Sequence, residues 1–335
     1  MIKVGFWDNS LSERGSTTAL FDYAYYNEKI LGNKSYIFYH NRDKNNDWRV
    51  IQKFKRHFLV RDVRTFDHIN GHLYDDEIKH LYIIKFGNND GKLSREAKNL
   101  VHCVFNCRAP HGDVYATLGQ WISGNEEGGV QCVPHMVALP EAMPEASGAL
   151  PEALPSCREE WGIPEEAIVF GSYGGSDSFN IPYVRKVVKE IALEREDVYF
   201  VFVNFDPFCG EDVKRVRFLP KIVEGAEKVR FIESCDAMIH AQTLGETFGL
   251  AVGEFASKGK PVISCAFSED RRTNHGHVHI LGKNAFWYDS EEEIRKILCG
   301  WKKGDGCEVG ERGRVAYLEY TPEKVMKIFE SVFLQ

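Results

Sequence analysis

Short apolar runs, each about one β-strand long, alternate along this chain with amphipathic stretches, and the alternation is broken once by prolines. Residues 198–203 (VYFVFV) are typical. Strands apolar on both faces belong in a parallel sheet covered by helices. The opening follows that pattern. Residues 2–7 read as a strand, 8–18 as a polar loop containing a glycine, and 19–24 as a helix, which is the first half of a βαβ unit. Further strands are expected at 35–40, 58–60, 81–85 and 102–106. A second series follows. It has strands at 167–171, 199–205, 228–232, 237–240 and 261–265, and helices at 181–193, 249–258 and 290–300.

Between the two series, residues 138–155 carry Pro140, Pro144, Pro151 and Pro155, and proline is a poor helix interior residue. At 335 residues the chain is also long for one core. The expectation is therefore two Rossmann-like α/β domains. The first spans 1–139, and the second spans 140–321 and opens on the proline-rich linker at 138–155. The closing helix, 322–335, has two addresses open to it: the domain it follows, or back on the first domain. Open α/β sheets bind ligands outside the carboxyl ends of their strands, so the loops that follow strands carry the interest.

Composition removes several classes. A net charge of −7 argues against broad nucleic-acid binding. No run approaches the ~18 apolar residues of a membrane span. The N-terminus lacks the basic start and apolar core of a signal peptide, so a cytoplasmic protein is expected. Nine cysteines, with no Cys-x-x-Cys pair, read as free thiols and imply no structural metal.

The most informative segment is 234–254, a strand, a polar loop and a helix start. Glu246 sits in the loop and Glu254 lies on the helix, with seven residues between them. Backbone N–H groups at a helix start, here around Thr247, Phe248, Gly249 and Leu250, suit a phosphate, and a glycine lets a ligand approach the backbone. A carboxylate on the first turns can accept hydrogen bonds from ribose hydroxyls. His240 precedes the loop. At 169–179 a strand runs into Gly174 and Gly175, a turn of the kind that forms anion-binding nests.

Glu246–Glu254, with Cys235-Asp-Ala-Met-Ile-His240 and Gly259-Lys-Pro-Val-Ile-Ser264, resembles the E-x7-E motif and surroundings of retaining glycosyltransferases of the GT-B fold, and of glycosyltransferase family four in particular. The resemblance is dense over 169–264 and thin in the first half of the chain. It implies two Rossmann-like domains facing each other across a cleft. The second would hold a nucleotide-diphosphate-sugar donor, and the first a glycan or glycoconjugate acceptor. Glu246 would contact the donor sugar or its phosphate, and Glu254 the ribose. Thr247, Phe248, Gly249 and Leu250 would offer backbone groups to the diphosphate, and His240 would belong to the same site. Groups around Leu219 and Pro220 would read the base. Gly15, with Arg14, resembles the glycine loop that the family brings to the donor phosphate. His111 resembles its histidine that reaches the donor sugar.

One departure stands out. The family carries an arginine and a lysine after the strand that leads to Gly174 and Gly175. This chain has Ser172 near the first position and Asp177 or Ser178 near the second, with no basic residue before Arg185. Arg14 and Arg185 are the candidate replacements.

Two further features bear on partners. His275, His277 and His279 alternate as strand ligands would, but no carboxylate or cysteine completes a set, and no Asp-x-Asp occurs in the chain. A metal-independent transfer needing no cofactor beyond its nucleotide-sugar substrate is expected. Residues 42–64 place eight Lys or Arg against three Asp in an acidic protein. That stretch is either a solvated helix face or a contact for an anionic acceptor or membrane surface. The reading is a retaining glycosyltransferase of the hexosyltransferase type. The alternatives are a nucleotide-sugar epimerase or phosphorylase on the same fold, or a non-catalytic nucleotide-sugar-binding protein.

Overall fold

The computed structural model describes residues 1–139, 156–266 and 274–335. Residues 140–155, most of the proline-rich segment, lie outside the described residues. The chain divides into two compact units, Met1–Met136 with Glu319–Gln335, and Val137–Leu318.

The first unit is built on β1 (Lys3–Asp8), α1 (Gly15–Lys29), β2 (Lys34–His40), α2 (Trp48–His57), β3 (Leu59–Val63), α3 (Ile69–Asp75), β4 (His80–Lys85), β5 (Lys98–Cys103), β6 (Val114–Thr117) and β7 (Gln131–Cys132). Its sheet runs β3-β2-β1-β4-β5-β6-β7, and all pairs are parallel. Order reverses between β1 and β4, so the carboxyl ends of these two strands flank the switch point. β5 begins four residues before the strand expected at 102–106. The polar pair Lys98 and Asn99 hides its start, yet the Asn99 amide is buried and donates to the Ser94 and Ala97 carbonyls.

In the second unit come β8 (Ile168–Tyr173), α4 (Pro182–Glu194), β9 (Val198–Val203), β10 (Val216–Leu219), α5 (Gly225–Ser234), β11 (Ala237–His240), α6 (Leu250–Ser257), β12 (Val262–Cys265), α7 (Gly276–Leu281), β13 (Phe286–Tyr288), α8 (Glu291–Gly300) and α9 (Cys307–Tyr317). The parallel sheet runs β10-β9-β8-β11-β12-β13, the strand order of a dinucleotide-binding domain. Its switch point lies between β8 and β11. Helix starts follow local chemistry. Pro182 opens α4, and the Ser290 hydroxyl caps α8 by accepting from Glu293 N at 3.3 Å, ahead of three glutamates in the first turn.

Segment 228–232, expected as a strand, is part of α5. Val229 and Ile232 are three apart and buried on one helical face, and so short an apolar run fits either period. The edge-strand place beside β9 is taken instead by β10.

The last helix, α10 (Pro322–Phe333), belongs to the first unit. Phe329 stacks on Tyr23 at 5.2 Å between ring centroids, and Phe333 meets Tyr82 edge-on at 5.5 Å. All nine cysteines are free thiols. Among the described residues no helix is long and apolar enough to cross a membrane.

Candidate functional site

The residues of the E-x7-E segment gather at the switch point of the second unit. β11 ends at His240, and its imidazole joins two neighbours. Nδ1 lies 2.8 Å from Ser264 Oγ on β12, and Nε2 lies 3.2 Å from Glu246 Oε1. A carboxylate only accepts, so Nε2–H donates to Glu246 and, in a neutral ring, Nδ1 accepts from the Ser264 hydroxyl. Glu246 is thereby held in the β11–α6 loop with its other oxygen uncommitted in that contact. Its carbonyl accepts from Gly276 N at 2.8 Å, which ties the loop to the start of α7.

Two glycines make that loop possible. Gly245 has φ +64, and a Cβ there would stand 1.9 Å from the Asn274 carbonyl oxygen. Gly249 has φ +82, and a Cβ there would meet His277 Cβ at 3.1 Å and Glu246 Cβ at 3.3 Å. Gly249 is the N-cap of α6, so the helix starts at Leu250, one residue after the start expected at 249. The first α6 N–H to bond along the helix is that of Gly253, to the Gly249 carbonyl at 2.8 Å. Earlier N–H groups of the first turn have no such partner along the helix and form the positive end of its dipole. Phe248 is buried against Tyr317, so its side chain belongs to the core and only its backbone could serve a ligand.

Glu254 sits on the same helix and is engaged from two other elements. Its Oε1 accepts from Lys228 Nζ on α5 at 2.8 Å, and its Oε2 accepts from the Tyr173 hydroxyl at the end of β8. Burial, with the Glu254 carboxylate second, pushes the Tyr173 phenol well above its usual range. Lys228 also stands over the Tyr173 ring, 5.3 Å from its centroid. Neither Lys228 nor Tyr173 stood out in the sequence. The helical spacing of Val229 and Ile232 was the signal that would have turned Lys228 toward α6.

His277 is buried beside His240, with ring centroids 5.3 Å apart, and burial, then the neighbouring His240, holds it well below the usual imidazole range. The three histidines 275, 277 and 279 lie at the start of and within α7, where residues two apart diverge. His275 and His279, four apart, meet instead at 4.9 Å. Among the described residues no group of three or more His, Cys, Asp or Glu converges as metal ligands.

The remaining candidates are scattered. Ser172 is buried inside β8, one residue short of its end. Gly174 and Gly175 form the following turn. The Gly174 carbonyl accepts from Asn204 Nδ2 at 2.6 Å, and the Gly175 carbonyl accepts from the Ser178 hydroxyl at 2.8 Å. Arg185 donates through Nε to the Phe179 carbonyl at 2.5 Å and lies over the Phe208 ring at 5.3 Å, so it braces the end of this loop. The Leu219 carbonyl, at the end of β10, accepts from Asn204 N at 3.0 Å, and Pro220 beyond it is exposed.

In the first unit, Arg14 is the exposed N-cap of α1 and Gly15 its first residue. Beneath them Asp8 ends β1. Its Oδ2 accepts from the Thr17 hydroxyl at 2.7 Å. Burial, opposed by the Thr17 bond, raises its carboxyl to about 6. His111 does not join this edge. Asp113 N donates to the Asn99 carbonyl and β6 starts opposite Leu100, so the chain at 111–113 runs level with the first half of β5 and not with its carboxyl end. His111 lies five residues past the strand expected at 102–106, but β5 ends at Cys103 and the loop from it crosses back along the sheet before His111.

No family model and no curated protein matches the chain by sequence. Solved structures do match by fold. A glycosyltransferase from Rickettsia africae superposes with a TM-score of 0.70 at 13% identity, covering 99% of this chain and 98% of that one. Anabaena HepE in complex with UDP-glucose gives 0.63 at 13% identity, covering 100% of both chains. A putative UDP-N-acetylglucosamine 2-epimerase from Listeria monocytogenes gives 0.59 at 13% identity, covering 99% and 95%. The fold is of the GT-B type. Two Rossmann-like units, each a parallel sheet flanked by helices, were the sequence expectation and are what the chain forms.

Proposed function

We propose that the protein is a retaining glycosyltransferase that moves a sugar from a nucleotide-diphosphate-sugar to a glycan or glycoconjugate acceptor. The observation that carries this is the pair Glu246 and Glu254. They stand with seven residues between them across the β11–α6 turn, at the switch point of a sheet with dinucleotide-binding order. The GT-B likeness to HepE, whose structure contains UDP-glucose, supports it.

In this reading Glu254 takes the ribose, and the first turn of α6 takes the diphosphate. Glu246, held by His240, orients the donor sugar. Departure of the diphosphate builds negative charge. Fixed N–H dipoles aimed at it lower the barrier without reorganising. The family's front-face route uses the leaving phosphate to help deprotonate the acceptor, so Glu246 has no covalent role. Arg14 and Gly15, at the start of α1, take the phosphate role that their resemblance to the family's glycine loop implies. His111 receives no catalytic role, because it lies level with the first half of β5. With no Asp-x-Asp to hold a divalent ion, transfer proceeds without one. The basic stretch at 42–64, where α2 leaves Trp48 exposed, is a contact for an anionic acceptor or membrane surface.

Fold likeness to a putative 2-epimerase supports a second reading, epimerisation of the sugar on its nucleotide. Incubation with UDP-glucose and UDP-N-acetylglucosamine, with and without an oligosaccharide panel and EDTA, tests both. Acceptor-dependent, EDTA-resistant transfer with the anomeric configuration kept is expected. Change at C2 of the donor without any acceptor establishes the epimerase instead.

A further inference from the structure

Glu254 is 4% exposed, and this is a difficulty for any ligand that is to use it. Its two oxygens are covered from different sides. The Tyr173 phenol holds Oε2 and is itself packed against Phe231 and Phe255, at 5.9 and 5.7 Å. Lys228 holds Oε1, and its side chain is 19% exposed against 5% for the carboxylate. Of the two covers, the Tyr173 ring is fixed by its aromatic neighbours, whereas the half-buried lysine sits on a flexible four-carbon stem.

Opening that cover has a cost that depends on what replaces it. Separating a buried ion pair leaves each charge uncompensated unless a ligand satisfies both. Glu254 then needs hydroxyl donors, and Lys228 needs an anion. A neutral sugar supplies only the first, and inorganic phosphate only the second. A nucleoside diphosphate supplies both on one molecule. The cations expected from the sequence are placed less well for this. Arg185 is committed to Phe179 and Phe208, and Asp177 adds a negative charge to the loop after β8.

We infer that Lys228 is a movable latch on Glu254 that releases to the donor's phosphates when the ribose takes its place. Lys228 thus supplies the positive charge missing after β8. The inference rests on the reading of Glu254 as the ribose ligand. It makes the empty site self-neutralised and selective for ligands that carry ribose and phosphate together.

Calorimetric titration of the full chain tests it. The ligands are UDP, GDP and ADP with uridine, guanosine and adenosine, and the proteins are wild type, Lys228→Gln, Lys228→Arg and Glu254→Gln. Lys228→Gln is expected to weaken the preferred diphosphate about tenfold, the scale of one charge-assisted hydrogen bond. The same change is expected to tighten the matching nucleoside, because a neutral amide holds Glu254 less firmly than an ammonium. Lys228→Arg retains most of the diphosphate affinity. Opposite shifts for nucleoside and diphosphate are not produced by a merely structural lysine. Equal weakening of both, or no change in either, overturns the latch. If no diphosphate binds wild type, or if Glu254→Gln binds as wild type does, the ribose reading itself falls and the latch with it. The wild-type and Glu254 arms thus separate that failure from failure of the latch alone. Melting curves of each variant establish that it is folded.

Discussion

His240 Nε2 lies 3.2 Å from Glu246 Oε1, so the imidazole that ends β11 orients the carboxylate of the loop beyond it. Ser264, on the neighbouring strand, fixes the other ring nitrogen at 2.8 Å. If Glu246 holds the donor sugar, Glu246→Gln removes a charge from the sugar and leaves the nucleotide contacts intact. Turnover should fall by about tenfold to a hundredfold, the loss of one charge-assisted hydrogen bond. The dissociation constant for UDP should stay unchanged. His240→Ala should cost less, because Glu246 survives but is no longer oriented. Steady-state kinetics beside calorimetry distinguish the two effects, and a large loss of UDP affinity in Glu246→Gln would move this residue to the nucleotide.

Under α10, the first unit buries two histidines in neutral form. Tyr82 Oη and His102 Nδ1 are 2.6 Å apart, and burial draws the His102 imidazole down to about 3 and His135 well below its usual range. In the unfolded chain both titrate near 6.5. A folded-state value below the unfolded one means that the unfolded state binds the proton first. Stability is therefore full above about pH 6.5 and is lost as pH falls below it. At about pH 5 His102 should cost roughly 2 kcal/mol, and His135 acts in the same direction. Urea denaturation at about pH 7.5 and pH 5 checks this, and His102→Asn should flatten the pH dependence. An unchanged slope in that variant would place the acid sensitivity elsewhere.

The β11–α6 turn depends on backbone that only glycine adopts easily. Gly245→Ala drives a methyl into the Asn274 carbonyl, a backbone atom that cannot swing aside, whereas Gly249→Ala meets two Cβ atoms at 3.1 and 3.3 Å. Both also carry the left-handed penalty of about 1–2 kcal/mol. Gly245→Ala should be the more destabilising of the two by thermal unfolding. Gly249→Ala should lower activity more than its loss of stability accounts for, since it displaces Glu246. Equal melting temperatures for the two variants would contradict the contact geometry.

Most of the fold was legible because parallel strands buried on both faces write themselves as apolar runs. β1, β2, β8, β9 and β11 begin within a residue of where the pattern put them. The misplacements have a shared cause. α5 was mistaken for a strand because Val229, Phe231 and Ile232 make a run too short to show its period, and the error hid Lys228. β10, with only four residues and Arg217 inside it, carries little apolar signal. For the candidate site, spacing singled out Glu246 and Glu254, but their partners from other elements, such as Tyr173 for Glu254, are set by strand order and register. His111 was misplaced for the same reason. Its loop crosses ten residues between two parallel strands with no helix to mark the return.

Asp8 supplies the last test, because on the proposed function its charge would make the fold and the activity respond in opposite directions. It ends β1 at the switch point of the first unit, and burial lifts its carboxyl to about 6 although the Thr17 hydroxyl and the Ser10 amide both favour the ionised form. Its unfolded value is near 3.9. A raised value means that the folded state prefers the proton. Asp8 thus favours the fold most below about pH 4, and this contribution is lost as pH rises through about 6. At neutral pH its charge opposes folding by on the order of 1–3 kcal/mol. Asp8→Asn should therefore be more stable than wild type at about pH 8 and nearly equal to it at about pH 4. If the first unit takes the acceptor, as the proposed function has it, a carboxylate kept ionised at such a cost, beside the Arg14–Gly15 start of α1, can accept from the acceptor hydroxyl. The stabilised variant should transfer sugar more slowly while binding UDP as wild type does. Denaturation at the two pH values, with transfer and UDP titration, checks all three expectations. If Asp8→Asn loses stability at about pH 8, the carboxylate is favourably satisfied in the fold, and the argument from strain no longer supports a role for it in transfer.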